Sequence, residues 1–191
     1  MPIPLGVLAV AGAGGAAGGG AAYEWLETVS VGTAVASVSF SNLNSSYGST
    51  YQHLQVRMVV NGSRAAAEDT MYLTLNNTNS GNLYANHRLK GTGSSVVSNA
   101  STSQNFGIFE EVLANDYWPI PSFMIMDILD PFETTKNKTI RTMQGAGADY
   151  GITLHSMLFN STAALTTLKF EFANGNVRAG SRFSLYGMRS S

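Results

Sequence analysis

Along His53-Leu54-Gln55-Val56-Arg57-Met58-Val59, apolar Leu54, Val56 and Met58 alternate with polar His53, Gln55 and Arg57. A period of two places one face of a strand on a core and the other in water. Segments of the same kind run from Ala34 to Phe40, Met71 to Leu75, Leu83 to Leu89, Phe106 to Val112, Phe123 to Leu129, Thr139 to Met143, Ile152 to Phe159, Leu165 to Phe172 and Arg182 to Met188. Turn-forming clusters separate them, among them Asn61-Gly62-Ser63, the run Asn76 to Gly81, Gly91 to Ser95, Gly145-Ala146-Gly147 and Asn174-Gly175-Asn176. Helical periodicity is not sustained over ten residues anywhere, and Arg64 to Asp69 would support at most a turn or two.

About ten short strands without an internal repeat predict an all-β fold, an antiparallel sandwich of jelly-roll type rather than a propeller or solenoid. Phe123-Met124-Ile125-Met126 is apolar at both parities. Such a strand is covered on both sides, or its outer face meets another subunit. In the second case either Phe123 and Ile125 or Met124 and Met126 lie between copies.

The pattern changes at the start of the chain. Met1 to Ala22 carries no charged side chain and seven glycines, and Tyr23-Glu24-Trp25-Leu26 then opens the strand-rich part. Glycine loses the most backbone entropy on ordering, and Ala and Gly return little apolar area. The division is therefore a Gly/Ala-rich arm, 1–22, ordered only when a neighbour surrounds it, and a single sandwich domain, 23–191. A cleaved signal peptide is the rival reading of Met1 to Ala13. No Lys or Arg precedes its short apolar run, and two prolines fall within the first four residues. The stretch is too glycine-rich after Ala11 for a membrane span.

Composition narrows the partners. Charged residues make up 12% of 191, with a formal net charge of −1, against a usual charged fraction of about 25%. No basic stripe is present for nucleic acid. So little charge repels copies weakly and favours a homo-oligomer; read as an assembled component, the chain is expected to form a trimer or a higher oligomer. The chain has no cysteine, which excludes disulfides, thiolate nucleophiles and Cys-ligated zinc.

Candidate chemistry is sparse. His53, His87 and His155 are at least 33 residues apart, so no short-range metal pair exists and no metal or cofactor is expected. His155-Ser156 with Asp149 could be written as a triad, but no Gly-x-Ser-x-Gly elbow accompanies it. Adjacent Glu110 and Glu111 are expected on opposite faces of a strand, Asp130-Pro131 reads as a strand end, and Gly12 to Gly20 lacks the frame of a phosphate loop. No catalytic residue is assigned, and the chain is read as a non-enzyme. For recognition, the candidate ligand or interface residues are Tyr117 and Trp118 in the proline-stiffened loop Asn115 to Pro121, and Tyr47 and Tyr51 in the loop Asn44 to Gln52. The alternative for Trp118 is that it plugs an end of the sandwich. Six Asn-x-Ser/Thr triplets, at Asn44, Asn61, Asn76, Asn99, Asn137 and Asn160, are glycosylation acceptors only in a eukaryotic setting.

Several stretches carry a resemblance: Asp127-Ile-Leu-Asp130, Thr135 to Arg141, Leu158 to Ala164 and especially Ala179-Gly-Ser-Arg-Phe-Ser-Leu-Tyr-Gly187, with Tyr51 to Arg57, Tyr84 to His87 and the Gly/Ala-rich opening. Together they resemble the small β-sandwich virion structural proteins of tailed bacteriophages. The resemblance implies a non-enzymatic structural protein of the particle, located in the virion at the tail or its fibres. Residues 1–22 would anchor it to other virion proteins, and the sandwich would be available to touch a host-surface glycan. It carries no binding residues across. Capsid decoration, as a head fibre or cement protein, and a free carbohydrate-binding module are the alternatives.

Overall fold

The alternating segments form strands because their inward residues are long aliphatics, methionines and phenylalanines that leave water together. In the computed structural model, which describes residues 23–146 and 151–189, twelve strands appear. They are β1 (Tyr23–Ser30), β2 (Ser37–Phe40), β3 (His53–Val60), β4 (Glu68–Leu75), β5 (Tyr84–Gly91), β6 (Val96–Gln104), β7 (Gly107–Leu113), β8 (Ser122–Leu129), β9 (Lys138–Ala146), β10 (Gly151–Phe159), β11 (Leu168–Phe172) and β12 (Arg182–Met188). One short helix, α1 (Leu43–Tyr47), links β2 to β3, and Arg64 to Ala67 makes bends rather than a helical turn. Among the described residues no helix is long and apolar enough to cross a membrane. The arm, 1–22, lies outside the described residues.

All ladders are antiparallel. One sheet has the order β1-β12-β3-β8-β9-β10-β5-β6 and the other β2-β11-β4-β7. Leaving out the hairpin-like pairs β5–β6 and β9–β10 leaves two four-stranded sheets, β1-β12-β3-β8 and β2-β11-β4-β7. In that remainder the first strand pairs the last, the second pairs the next to last, and so on inward. This is a long hairpin rolled into a double sheet, a jelly roll. Both inserted pairs extend the same sheet, so the larger sheet is twice as wide as its cover.

Between the sheets lies one hydrophobic cluster. Leu54, Val56 and Met58 of β3 and Met124, Met126 and Ile128 of β8 face Leu73 of β4, Phe109 of β7 and Phe170 of β11, all fully buried. Each such side chain contributes roughly 1.5–3 kcal/mol on burial. The parity of β8 is thereby fixed: Met124 and Met126 point inward, and Phe123 and Ile125 point out.

Two strands, β1 and β6, do not follow the alternation used to find the others, and both are edges of the larger sheet. The register of β1 against β12 shifts between Trp25 and Glu27, and a bulge breaks the period. Val96 to Gln104 in β6 is exposed along almost its whole length, on both faces, so neither parity was under pressure to be apolar.

Candidate functional site

The four aromatics singled out in the sequence do not converge. Gln52 N–H bonds the carbonyl of Met188 at the end of β12, and the Tyr51 ring lies on Gly187, where a Cβ would come within 2.5 Å of it. Trp118 instead sits against Gly180, just before β12 begins, where a Cβ would come within 2.9 Å of its Cη2. The two groups are thus separated by the length of β12, roughly 20 Å at about 3.4 Å per residue.

Each group is engaged within its own chain. The Tyr51 hydroxyl donates to the Glu24 carboxylate, which also accepts from Arg189, and the Arg189 guanidinium lies 5.0 Å from the Tyr51 ring centre. The bond to Glu24 is the main cause that raises the Tyr51 pKa. Tyr47 packs edge-on to Tyr51 at 6.2 Å and rests against the core, and burial raises its hydroxyl pKa. Arg178 covers a face of Trp118 at 4.7 Å while donating to Asn115. Asn61 donates to the Ile120 carbonyl at 2.8 Å, fixing the loop that holds half-buried Tyr117. With Arg178 over one face and Gly180 against its edge, Trp118 is still 43% exposed and is not part of the hydrophobic cluster.

The polar candidates resolve in the same way. His155 points inward and Ser156 outward on β10, so they cannot act together, and Asp149 lies outside the described residues. Among the described residues no group of three metal-ligating side chains forms. His53 Nδ1 accepts the Asp130 N–H at 3.1 Å. Lys136 is the main cause that lowers the Asp130 pKa, through a 2.6 Å hydrogen bond.

Glu110 and Glu111 depart from the expected opposite facing, since Arg88 pairs with both and Lys90 also pairs with Glu111. Met71 pairs with Phe109 and Asp69 with Val112, leaving two residues of β7 opposite Thr70 alone. Glu111 takes φ 58° in this bulge, and the extra residue turns both carboxylates to one side.

The outstanding surface is the outer face of the eight-stranded sheet. Directly paired residues point the same way, so the ladders lay this face out in rows. One row reads Phe123, Gly145, Ile152, Gly91, Val96 from β8 to β6. The next reads Ile125, Met143, Leu154, Leu89. The third is polar: Asp127, Arg141, Ser156, His87. An open groove of ≈ 690 Å³ lies between the second and third rows, lined by Ile125, Met143, Leu154, Arg141 and His87 among others. Another, ≈ 610 Å³, flanks Leu154 and Ile152.

In this region the polarity of the sheet is reversed. On β10, Ile152 and Leu154 face out at 62% and 49% exposure, whereas Thr153 and His155 face in at 3% and 4%. Neighbouring β9 and β5 send Thr142, Gln144 and Asn86 inward while Met143 and Leu89 face out.

For Asn86, Gln144 and His155 the facing sheet edge supplies a cause. β7 is the edge of the smaller sheet, and its free backbone groups need partners. Asn86 donates to the Phe106 carbonyl and accepts the Ile108 N–H, and Gln144 donates to the carbonyls of Glu110 and Glu111 at 3.0 and 3.1 Å. With both amide protons of Gln144 used, its oxygen accepts, so His155 holds its proton on Nε2, 3.2 Å away. Burial, reinforced by Arg88, lowers the His155 pKa to about 4. The outward half, Phe123, Ile125, Met143, Ile152, Leu154 and Leu89, has no cover among the described residues. Its sequence signal is apolarity at both parities, read above only at Phe123 to Met126.

Compared with protein families, curated proteins and solved structures, the chain has no match.

Proposed function

We propose that this chain is a non-catalytic structural component of a tailed-phage virion, placed at the tail or its fibres and held by residues 1–22 and by contacts with its own kind. The observation that carries the assembled state is the uncovered apolar face across β8, β9, β10 and β5. Patches beyond a few hundred Å² on a soluble domain mark surfaces that other molecules cover. The phage setting is drawn from the resemblance in the Ala179 to Gly187 stretch and the segments that accompany it.

A sugar-binding module at Tyr117 and Trp118 has less support, because Arg178 already lies over one face of the Trp118 ring and the four candidate aromatics do not gather into one site. Peptide mass spectrometry of purified virions tests the proposal: the chain is expected at a fixed ratio to the other tail proteins, and its absence would refute the reading. Deletion of 1–22 is expected to abolish incorporation while leaving the sandwich folded. Normal incorporation of the truncated chain would remove the anchor role.

A further inference from the structure

We infer that the outer face of the eight-stranded sheet seats a second copy of this chain, packed face to face about a two-fold axis that runs along the strands between β9 and β10. This pairing rests on reading the chain as an assembled component, and it names the surface and the partner.

Complementarity of the face to itself is the argument. In the row Phe123, Gly145, Ile152, Gly91, Val96, bulky residues alternate with glycines, and a Cβ at Gly145 or Gly91 would meet nothing within 4 Å. Neither glycine has a positive φ, so the backbone does not require glycine at either place. They are slots. The stated axis exchanges β9 with β10 and β8 with β5. It carries Ile152 onto the partner's Gly145 and Phe123 onto the partner's Gly91, knob into slot. In the second row Met143 meets the partner's Leu154, and Ile125 meets the partner's Leu89. In the third, Asp127 falls opposite the partner's His87, and Arg141 opposite the partner's Ser156, so each polar group finds one it can bond or attract. An axis through β10 itself would set Ile152 against its own copy.

The size fits as well. Six strands, β3 to β6 in sheet order, take part. At about 4.8 Å between strands and 3.4 Å per residue they span roughly 29 Å by 25 Å, about 700 Å². A standard interface takes about 800 Å² from each partner, and aligned packing of two sheets is an ordinary arrangement. A three-fold assembly would need two different surfaces on each copy, whereas this face pairs with itself.

Sedimentation equilibrium of the full chain is the experiment. The expected mass is twice 20.2 kDa, or an even multiple of the chain. Gly145→Val fills a slot with a β-favouring apolar residue. It is expected to weaken pairing roughly 100-fold in dissociation constant with an unchanged circular dichroism spectrum. A merely sticky patch would instead associate more strongly. Asp127→Lys is expected to weaken pairing, and adding His87→Glu to restore it, which reads the register and not only the surface. A single-chain or three-chain mass overturns the inference, as does a two-chain mass indifferent to these variants. A monomer whose outer face becomes exposed to hydrogen exchange only on deletion of 1–22 also overturns it, by naming the arm as the occupant. A monomer still found in purified virions would refute the pairing and leave the virion reading standing.

Discussion

Acid should destabilise this protein through His155. The ring is buried between the sheets, 3.2 Å from Gln144 and edge-on to Phe109. Burial holds its folded pKa at about 4, against 6.5 for the free side chain. Between those pH values the unfolded chain binds a proton that the folded chain does not, so stability rises with pH across this window and falls as pH is lowered through it. Moving one titration from 6.5 to about 4 is worth about 3 kcal/mol at roughly 1.36 kcal/mol per pH unit, a large part of the 5–15 kcal/mol typical of a domain. Urea unfolding of the wild type and His155→Phe at pH 7, 6, 5 and 4 isolates this contribution, because other titrations are shared. His155→Phe starts lower at pH 7, having left the Gln144 oxygen unpaired, and the gap should close or reverse by about 3 kcal/mol on going to pH 4. Parallel curves for the two proteins would refute the reasoning.

Gln144→Leu removes two donors to the Glu110 and Glu111 carbonyls and the acceptor of His155. It should cost about 2–4 kcal/mol in urea unfolding. Lys138, fully buried, donates to the carbonyls of Glu133, Lys136 and Thr162. Lys138→Met should lower stability by roughly 2–4 kcal/mol, seen as a reduced denaturation midpoint, and an unchanged midpoint would contradict the assigned bonds. Gly180 holds φ +89° against Trp118, so Gly180→Ala should cost about 1–3 kcal/mol and release Trp118, read as a red-shifted tryptophan emission.

What the chain settles locally is its strands. Alternation at His53 to Val59 and its equivalents is a property of consecutive residues, so all ten segments read from it became strands, and the all-β class followed with them. The bulged edge β1 and the doubly exposed β6 were illegible for the same reason, since neither keeps one face dry. Which parity of β10 turns inward was not decided locally. His155 faces the interior because it bonds Gln144, which pairs the carbonyls of Glu110 and Glu111 on the edge of β7, and those buried backbone groups must be paired. That demand comes from residues more than thirty positions away. Glu110 and Glu111 share Arg88 because β4 supplies one residue where β7 supplies two. Tyr51 and Trp118 look alike in sequence, two aromatics in loops, yet the roll of the chain sends them to opposite ends of β12. The row of knobs and slots from Phe123 to Val96 draws on five strands between 91 and 152, and only the cross-strand register of the eight-stranded sheet places them side by side.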